Sequence, residues 1–519
     1  MNSTWLMRRT GAVVCIASLA CLLTACGGSS SSEEEAAPNV VQKASCGTGD
    51  SPETALQGQV PAAMRAAGFK GFSCNLQLVG QSKNEGGSWQ HAFFVDKAGH
   101  KCSYYDSSSA SAGRTQRGVA VIDATDSAHP VATTFLNTTA MIDPWESLKV
   151  NERRQLLGGV NALNGNGGPE IDLYDISGDC RSPQLLTGAS VGLAGTDQYV
   201  AAVRGHEGNF APDGLTYYAA NLGSGYIYPI DITNTTKPKL LTQYVTSPGR
   251  VHGLNISDDG NRAYLAILGN GLANPQRAAG SPPNNGLQIL DVSEVQARKP
   301  SPQIKVVGQV MWDDGGGAQH AINVMIKGKP YVIHADEAGS GGNNAAGWKA
   351  ACDMNLPAWQ FARIIDISDE TKPTVVSKLM LEAYDPKNCA QVLPDLDGRS
   401  SFTYGAHYCS VDNRLNATTL ACGYFNSGIR VFDIRNPLRV KEIAYFNPAG
   451  TTTQSPGSNH NRTGGWVAGG PDWCTAQVKL DAASGTLQTM CQDNGFLTLK
   501  FTNGVWPFPE TTTPQGLQN

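Results

Sequence analysis
Apolar residues along this chain fall into short runs that end on an aspartate, and one such run recurs with nearly the same spelling. The copies read Gly118-VAVIDA, Glu170-IDLYDIS, Gly225-YIYPIDIT, Gly286-LQILDVS, Phe361-ARIIDIS and Gly428-IRVFDIR. A seventh, Gly495-FLTLKFT, carries Lys500 where the others carry Asp123, Asp175, Asp231, Asp291, Asp366 and Asp433. Before these runs stand paired segments that alternate apolar and polar residues about a glycine turn, as in His206-EGNFAPDGLTYYAAN and Val251-HGLNISDDGNRAYLAIL. After them comes one more short apolar segment, such as Pro130-VATTFL, Pro373-TVVSKLML or Val440-KEIAYF. Alternation with period two between Gly, Asn and Asp turns is the pattern of β-strands. Each unit thus supplies four strands in order, and units recurring every roughly 50 to 75 residues predict a propeller built from four-stranded sheets.

The seventh unit has no fourth strand before the chain runs into its tail. Asn75-LQLVGQ, near the other end, has the fourth-strand pattern and no unit before it. The two fragments are expected to complete one blade, leaving no open sheet edge. The expected fold is all-β: a seven-bladed β-propeller of four-stranded antiparallel blades over residues 45–507, with six or eight blades as alternatives, followed by a tail over 508–519.

The phrases VAVIDATDSAHP, YPIDITNTTKP, IIDISDETKP and VFDIRNP resemble those of the LVIVD-repeat proteins, a family of bacterial and archaeal surface proteins, over roughly residues 75 to 505. The resemblance implies a propeller at the cell surface. It implies no chemistry, because most members of that family have no assigned activity and a fold does not carry a function with it.

The amino terminus reads as a processing signal. Arg8 and Arg9 precede an apolar run, Gly11 to Leu23, that ends in Leu23-Thr-Ala-Cys26, the pattern of a bacterial lipoprotein whose Cys26 thiol is lipidated. Residues 27–44 are expected to be a low-complexity tether, given the run Gly28-SSSSEEEAAPN. The location follows: an exported chain held to the cell envelope by lipid, at the outer membrane if the cell is Gram-negative, as Gly27 after the cysteine suggests. The lipid is then the one contact with a membrane, and a monomer is expected. Formal net charge is −5, with no cationic stripe along the sequence. Nucleic acid is a poor partner for such a surface.

Of 13 cysteines, Cys15 and Cys21 leave with the signal and Cys26 takes the lipid, so an even number remains. In an exported chain that argues for disulfides. The repeat register suggests Cys409–Cys422 and Cys474–Cys491 within single sheets and Cys352–Cys389 between two long loops, while Cys46–Cys74 and Cys102–Cys180 remain by elimination.

Candidate chemistry lies in the histidines. His91, His206, His252 and His320 each stand eight residues before a turn glycine, Gly99, Gly214, Gly260 and Gly328, and His407 opens the matching strand of the sixth unit. Five imidazoles are therefore expected at one mouth of the central channel. Such a ring suits a transition metal, Zn, Cu or Fe, with Glu207 completing or tuning the site. A metal-free polar ligand site and a purely structural role are the alternatives. The second unit carries Trp145 and Glu146 at this place, where the resemblance implies histidine, so one ligand is expected to be missing. Trp145, Glu146, His334 and His460 are possible accessory residues, and Trp89, Trp145, Trp348 and Trp359 could floor a pocket. Gly188-ASVG lacks the strand and helix of a nucleophile elbow, and Asp395-LDGRS lacks the spacing of a calcium loop. No catalytic set is legible. The expected function is a lipid-anchored propeller that binds a small ligand, a metal or a protein partner at the histidine mouth. The alternative is a metal-dependent hydrolase or oxidoreductase acting there on a small molecule, by analogy of architecture with selenium-binding, methanethiol oxidase and lactonase-type propellers.

Overall fold
The computed structural model describes residues 39–511, apart from 88, 107–114, 162–169, 190–191, 194–204, 397–398, 400, 457, 459 and 461–466. The lipidation signal, Cys26 and most of the tether and tail lie outside the described residues. Seven antiparallel sheets follow one another along the chain, each a blade. In blade one, His91–Val95 is innermost, followed by Lys101–Asp106, Val119–Asp123 and Val131–Leu136. The same order runs through the next five blades, with third strands Ile171–Asp175, Tyr226–Asp231, Asn285–Asp291, Ala362–Asp366 and Ile429–Asp433. These third strands are buried on both faces because each blade is covered by its neighbours. Leu156, Val160 and Leu173 of blade two, for example, pack on Phe210, Tyr217 and Ile230 of blade three.

The recurring aspartate closes the turn from the third strand to the fourth. Its Oδ1 accepts the N–H two residues on: Asp123 from Thr125, Asp175 from Ser177, Asp231 from Thr233, Asp291 from Ser293, Asp366 from Ser368 and Asp433 from Arg435, at 2.7 to 3.0 Å. Asp supplies this local turn at little cost. Blade seven explains the lysine. Its fourth strand, Leu76–Ser82, arrives from the other end of the chain and pairs with Gly495–Phe501, so Lys500 has no turn to close.

The N-terminal segment does more than close the ring. Phe72–Cys74 adds a fifth strand to blade six, against Lys441–Asn447. The expected tether ends earlier than residue 44, since Val41 is buried and donates its N–H to Met380 O at 3.0 Å. Arg430, fully buried, binds Glu53 of this segment and Glu442 of blade six, the latter at 3.0 Å. Few helices form. Ala345–Asp353 is the longest described, and it buries Trp348.

Five disulfides join Cys46–Cys74, Cys102–Cys180, Cys352–Cys389, Cys409–Cys422 and Cys474–Cys491. Cys409 and Cys422 face each other across one strand pair. Cys102–Cys180 closes a loop of 78 residues between blades one and two, which by chain entropy contributes about 4.5 kcal/mol. Such a set belongs to an oxidising compartment outside the cytoplasm. No described helix is long and apolar enough to cross a membrane.

Candidate functional site
Three of the five aligned histidines meet at one end of the axis, and two acids meet them there. Glu146 Oε2 lies 3.1 Å from His206 Nε2 and 3.8 Å from His252 Nε2, while Glu146 Oε1 lies 3.5 Å from His407 Nε2. Glu337 faces the same rings, 3.5 Å from His252 Nε2 and 3.7 Å from His407 Nε2. His206 and His252 are in ring contact, with centroids 4.4 Å apart.

Ladder slips accompany two of the three arrivals, while His206 reaches the cluster from an unslipped ladder, its N–H donated to Ala220 O at 2.7 Å. In blades four and six the ladder between the two innermost strands slips between Val251 and Leu254 and between Ala406 and Cys409, and the slipped stretches contain His252 and His407. Such a bulge re-aims a side chain. Blade one has no slip, and His91 stays in register opposite Tyr105. In blade five the slip ends at His320, which returns to the ladder opposite Ala335. Equal offsets from the turn glycine therefore do not give equal positions, and the five-imidazole ring is corrected to three. His320 Nε2 instead accepts the Cys409 N–H at 3.3 Å, and its ring stacks on Tyr408. Burial pushes it well below the ordinary imidazole range. His91 is likewise neutral, brought down to about 4 chiefly by burial.

Blade two is not missing a ligand. Trp145 takes a φ of 50°, uncommon for a bulky residue, and Glu146 bridges to Glu207 of blade three and reaches the axis. The equivalent residue is thus Glu146, and Trp145 packs beside it, between Trp89 and His206. Glu337, which sequence reasoning left out of the site, comes from Lys329–Ala338, one of the two long strands of blade five.

Glu207 sits one layer away. Its Oε2 accepts the Tyr408 hydroxyl at 2.9 Å and lies 4.0 Å from His252 Nδ1, while its Oε1 lies 4.0 Å from Lys149 Nζ. Burial pushes Glu207 up to about 7 against the pull of Lys149. His334 does not join the cluster. It is buried against Trp312, 3.7 Å from Asp336, and burial brings it to about 3. His460 belongs to a separate buried group, 3.2 Å from Asp493 and 3.9 Å from Asp472, with its ring against Trp473. Trp89 contacts His407 and Trp145. Trp348 and Trp359 floor no pocket at the mouth but are core residues beneath the long loops of blade five.

The electrostatics are those of a buried anionic pair facing imidazoles. Burial works to raise both acids, but His206, His252 and His407 together hold Glu146 below the usual carboxylate range, and His252 and His407 hold Glu337 far below it. For His252, burial is outweighed by Glu337, Glu146 and Glu207, which raise it to about 9. Neither ring nitrogen of His252 has an aligned hydrogen-bond partner, and neither does Glu146 Oε2. His407 Nδ1 lies 3.1 Å from Thr475 O and so carries a proton, which leaves Nε2 turned towards the two acids. A ligating histidine is commonly oriented in this way.

No protein-family model and no curated protein matches this sequence. Solved structures similar to it include a protein from Lactobacillus plantarum, at 12% identity over 73% of this chain and 86% of that one with a TM-score of 0.46. A functionally unknown protein from Desulfotomaculum acetoxidans shares 12% over 69% and 84% with a TM-score of 0.41. A putative 6-phosphogluconolactonase from Bacteroides fragilis shares 10% over 76% and 96% with a TM-score of 0.44. None of the three assigns this chain a family or an activity. By its own topology the chain is a seven-bladed β-propeller with a buried His/Glu cluster on its axis.

Proposed function
We propose that the chain is an exported, lipid-anchored propeller of the LVIVD-repeat type that binds one divalent transition metal through Glu146, His206 and His252, with His407 and Glu337 beside them. The donor spacing carries the reading. Nitrogen and oxygen ligands at 2.0 to 2.2 Å from a tetrahedral ion stand about 3.3 to 3.6 Å from one another. Glu146 Oε2 stands 3.1 Å from His206 Nε2 and 3.8 Å from His252 Nε2, which brackets that spacing. A divalent ion would also neutralise both buried acids and give His252 and Glu146 Oε2 the partner they lack. Imidazole with carboxylate suits Zn, Cu, Fe or Ni over Mg or Ca.

Protein purified without a histidine tag should contain close to one equivalent of such a metal, or bind Co²⁺ with the visible bands of a low-symmetry site. Glu146→Gln with His252→Asn should abolish both while the melting transition stays cooperative. A parent protein that neither contains a transition metal nor binds Co²⁺ overturns the proposal. A second reading, a metal-dependent hydrolase, is favoured by one observation: Glu337 keeps 19% of its side chain exposed, so the cluster is reachable from the mouth. Bound metal there could serve as a Lewis acid. Hydrolysis of a small ester or lactone, lost in the same double variant, tests it.

A further inference from the structure
The inner strands carry a second set of polar groups beyond the cluster. Lys149, Asn209 and Asn255 each stand three residues after Glu146, His206 and His252, which at strand rise is about 10 Å along the chain. They line a cavity of about 330 Å³ together with Gln90, His91, Arg414, Gln477 and Lys479, contributed by six of the seven blades. That volume is at the lower end of small-molecule sites, roughly 300 to 1,000 Å³.

Its lining offers donors and acceptors that the protein does not use. Lys149 is 7% exposed, yet its Nζ makes no hydrogen bond with the described residues, and its nearest carboxylate is Glu207 at 4.0 Å. Arg414, 5% exposed, spends its terminal nitrogens on Asn323 and Asp258, and its Nε is left without a partner. Lys479 Nζ rests over the Phe93 ring at 4.7 Å. On the acceptor side, His91 Nδ1 lies 3.1 Å from Gln477 O and must hold the proton, so the buried Nε2, which has no partner, presents a lone pair. Gln90 Oε1 is a second buried acceptor without a partner. Unmatched buried polar groups are rare unless something else satisfies them. Four cations of the lining, Lys149, Arg153, Arg414 and Lys479, outnumber its two acids, Glu152 and Asp258, and call for an anion, while the neutral acceptors beside them call for hydroxyl protons.

We propose that this cavity is a binding site for a small hydroxylated organic anion, a hydroxycarboxylate or a phosphorylated polyol. Lys149, Lys479 and Arg414 take the anionic group, and His91 Nε2 and Gln90 Oε1 take the hydroxyls. The site is distinct from the axial cluster and does not depend on metal there.

The test is calorimetric titration of the full chain with D- and L-tartrate, succinate and threitol, a set in which succinate lacks the hydroxyls and threitol lacks the charge. Because tartrate itself coordinates metals, the chain is first stripped with a chelator, so failure of the metal reading leaves this result intact. One tartrate enantiomer should bind at least about tenfold tighter than succinate, and threitol should give no heat. Lys149→Met and, on a different blade, Lys479→Gln should each weaken tartrate about tenfold, and His91→Phe should erase the preference over succinate. Glycerol 3-phosphate binding tighter than tartrate would place the ligand among phosphorylated polyols. Equal affinity for all probes, no heat with any anion at millimolar concentration, or tartrate binding unchanged in both lysine variants overturns the proposal.

Discussion

Replacing Arg430 by methionine tests what holds the N-terminal segment on the ring. The guanidinium is fully buried over the Tyr445 ring at 4.7 Å. Its Nε donates to Ser427 O at 2.9 Å, and its terminal nitrogens bind Glu53 and Glu442. Methionine keeps most of the stem packing but leaves two acids facing each other without a cation. Breaking a buried pair from one side costs roughly 3–5 kcal/mol. The variant can escape by protonating one acid, and burial already pushes Glu442 upward. Taking a glutamate with an ordinary value near 4.3 to its neutral form at pH 7 costs about 4 kcal/mol, at about 1.4 per pH unit. The loss should therefore be about 4 kcal/mol at pH 7 and shrink to about 1 kcal/mol at pH 5, as protons satisfy the orphaned acid. The sign follows from linkage, since a carboxyl raised in the folded state binds more protons there than when unfolded, and stability falls as pH rises. Urea denaturation with disulfides intact, at pH 5, 6 and 7, measures the difference, and adding Glu442→Gln should recover most of it. A deficit that is constant with pH, or below about 1 kcal/mol at pH 7, would refute the reasoning.

Two further outcomes are expected. Asp175→Ala should lower stability by about 1 kcal/mol through loss of its turn-closing bond to Ser177, whereas Lys500→Ala should leave it unchanged; equal effects in thermal unfolding would remove the aspartate from its assigned role. In metal-free protein, His252, raised to about 9, contributes stability that is fully present below its unfolded value near 6.5 and is lost as pH rises through about 9. Melting temperature should fall over that window in the parent and stay flat in His252→Asn; the same fall in both would show that the charge resides elsewhere.

The fold was legible because its strands repeat a local device. Aspartate at the end of each third strand is a chemical necessity of the turn that follows, and the one lysine among the copies marked the blade with no such turn. The site was legible only in part. His206 and His252 carry a spacing that sequence can count and His407 opens the matching strand, but His91 and His320 carry the same spacing as the first two and are turned away, because the register of an inner strand, slips of one residue included, has no spelling of its own. Glu146 was visible as a neighbour of Trp145, and its place on the axis depends on a left-handed backbone at the tryptophan. Glu337 was hidden because its position follows from how far two strands of blade five outrun the others. The docking of residues 39–44 was also missed, since a short polar stretch gives no sign that one buried valine will anchor it.

The pairing of Leu76–Ser82 with Gly495–Phe501 sets a schedule for the nascent chain. This early strand has as its partner the last one, more than four hundred residues later. Until synthesis is finished, Leu76 and the face of blade seven that it covers stay exposed. Contacts of such long sequence separation form late and slowly, so the unfinished chain presents an open strand edge to its neighbours. A chaperone of the envelope that shields extended apolar segments would act on this protein in that interval, before the two ends meet.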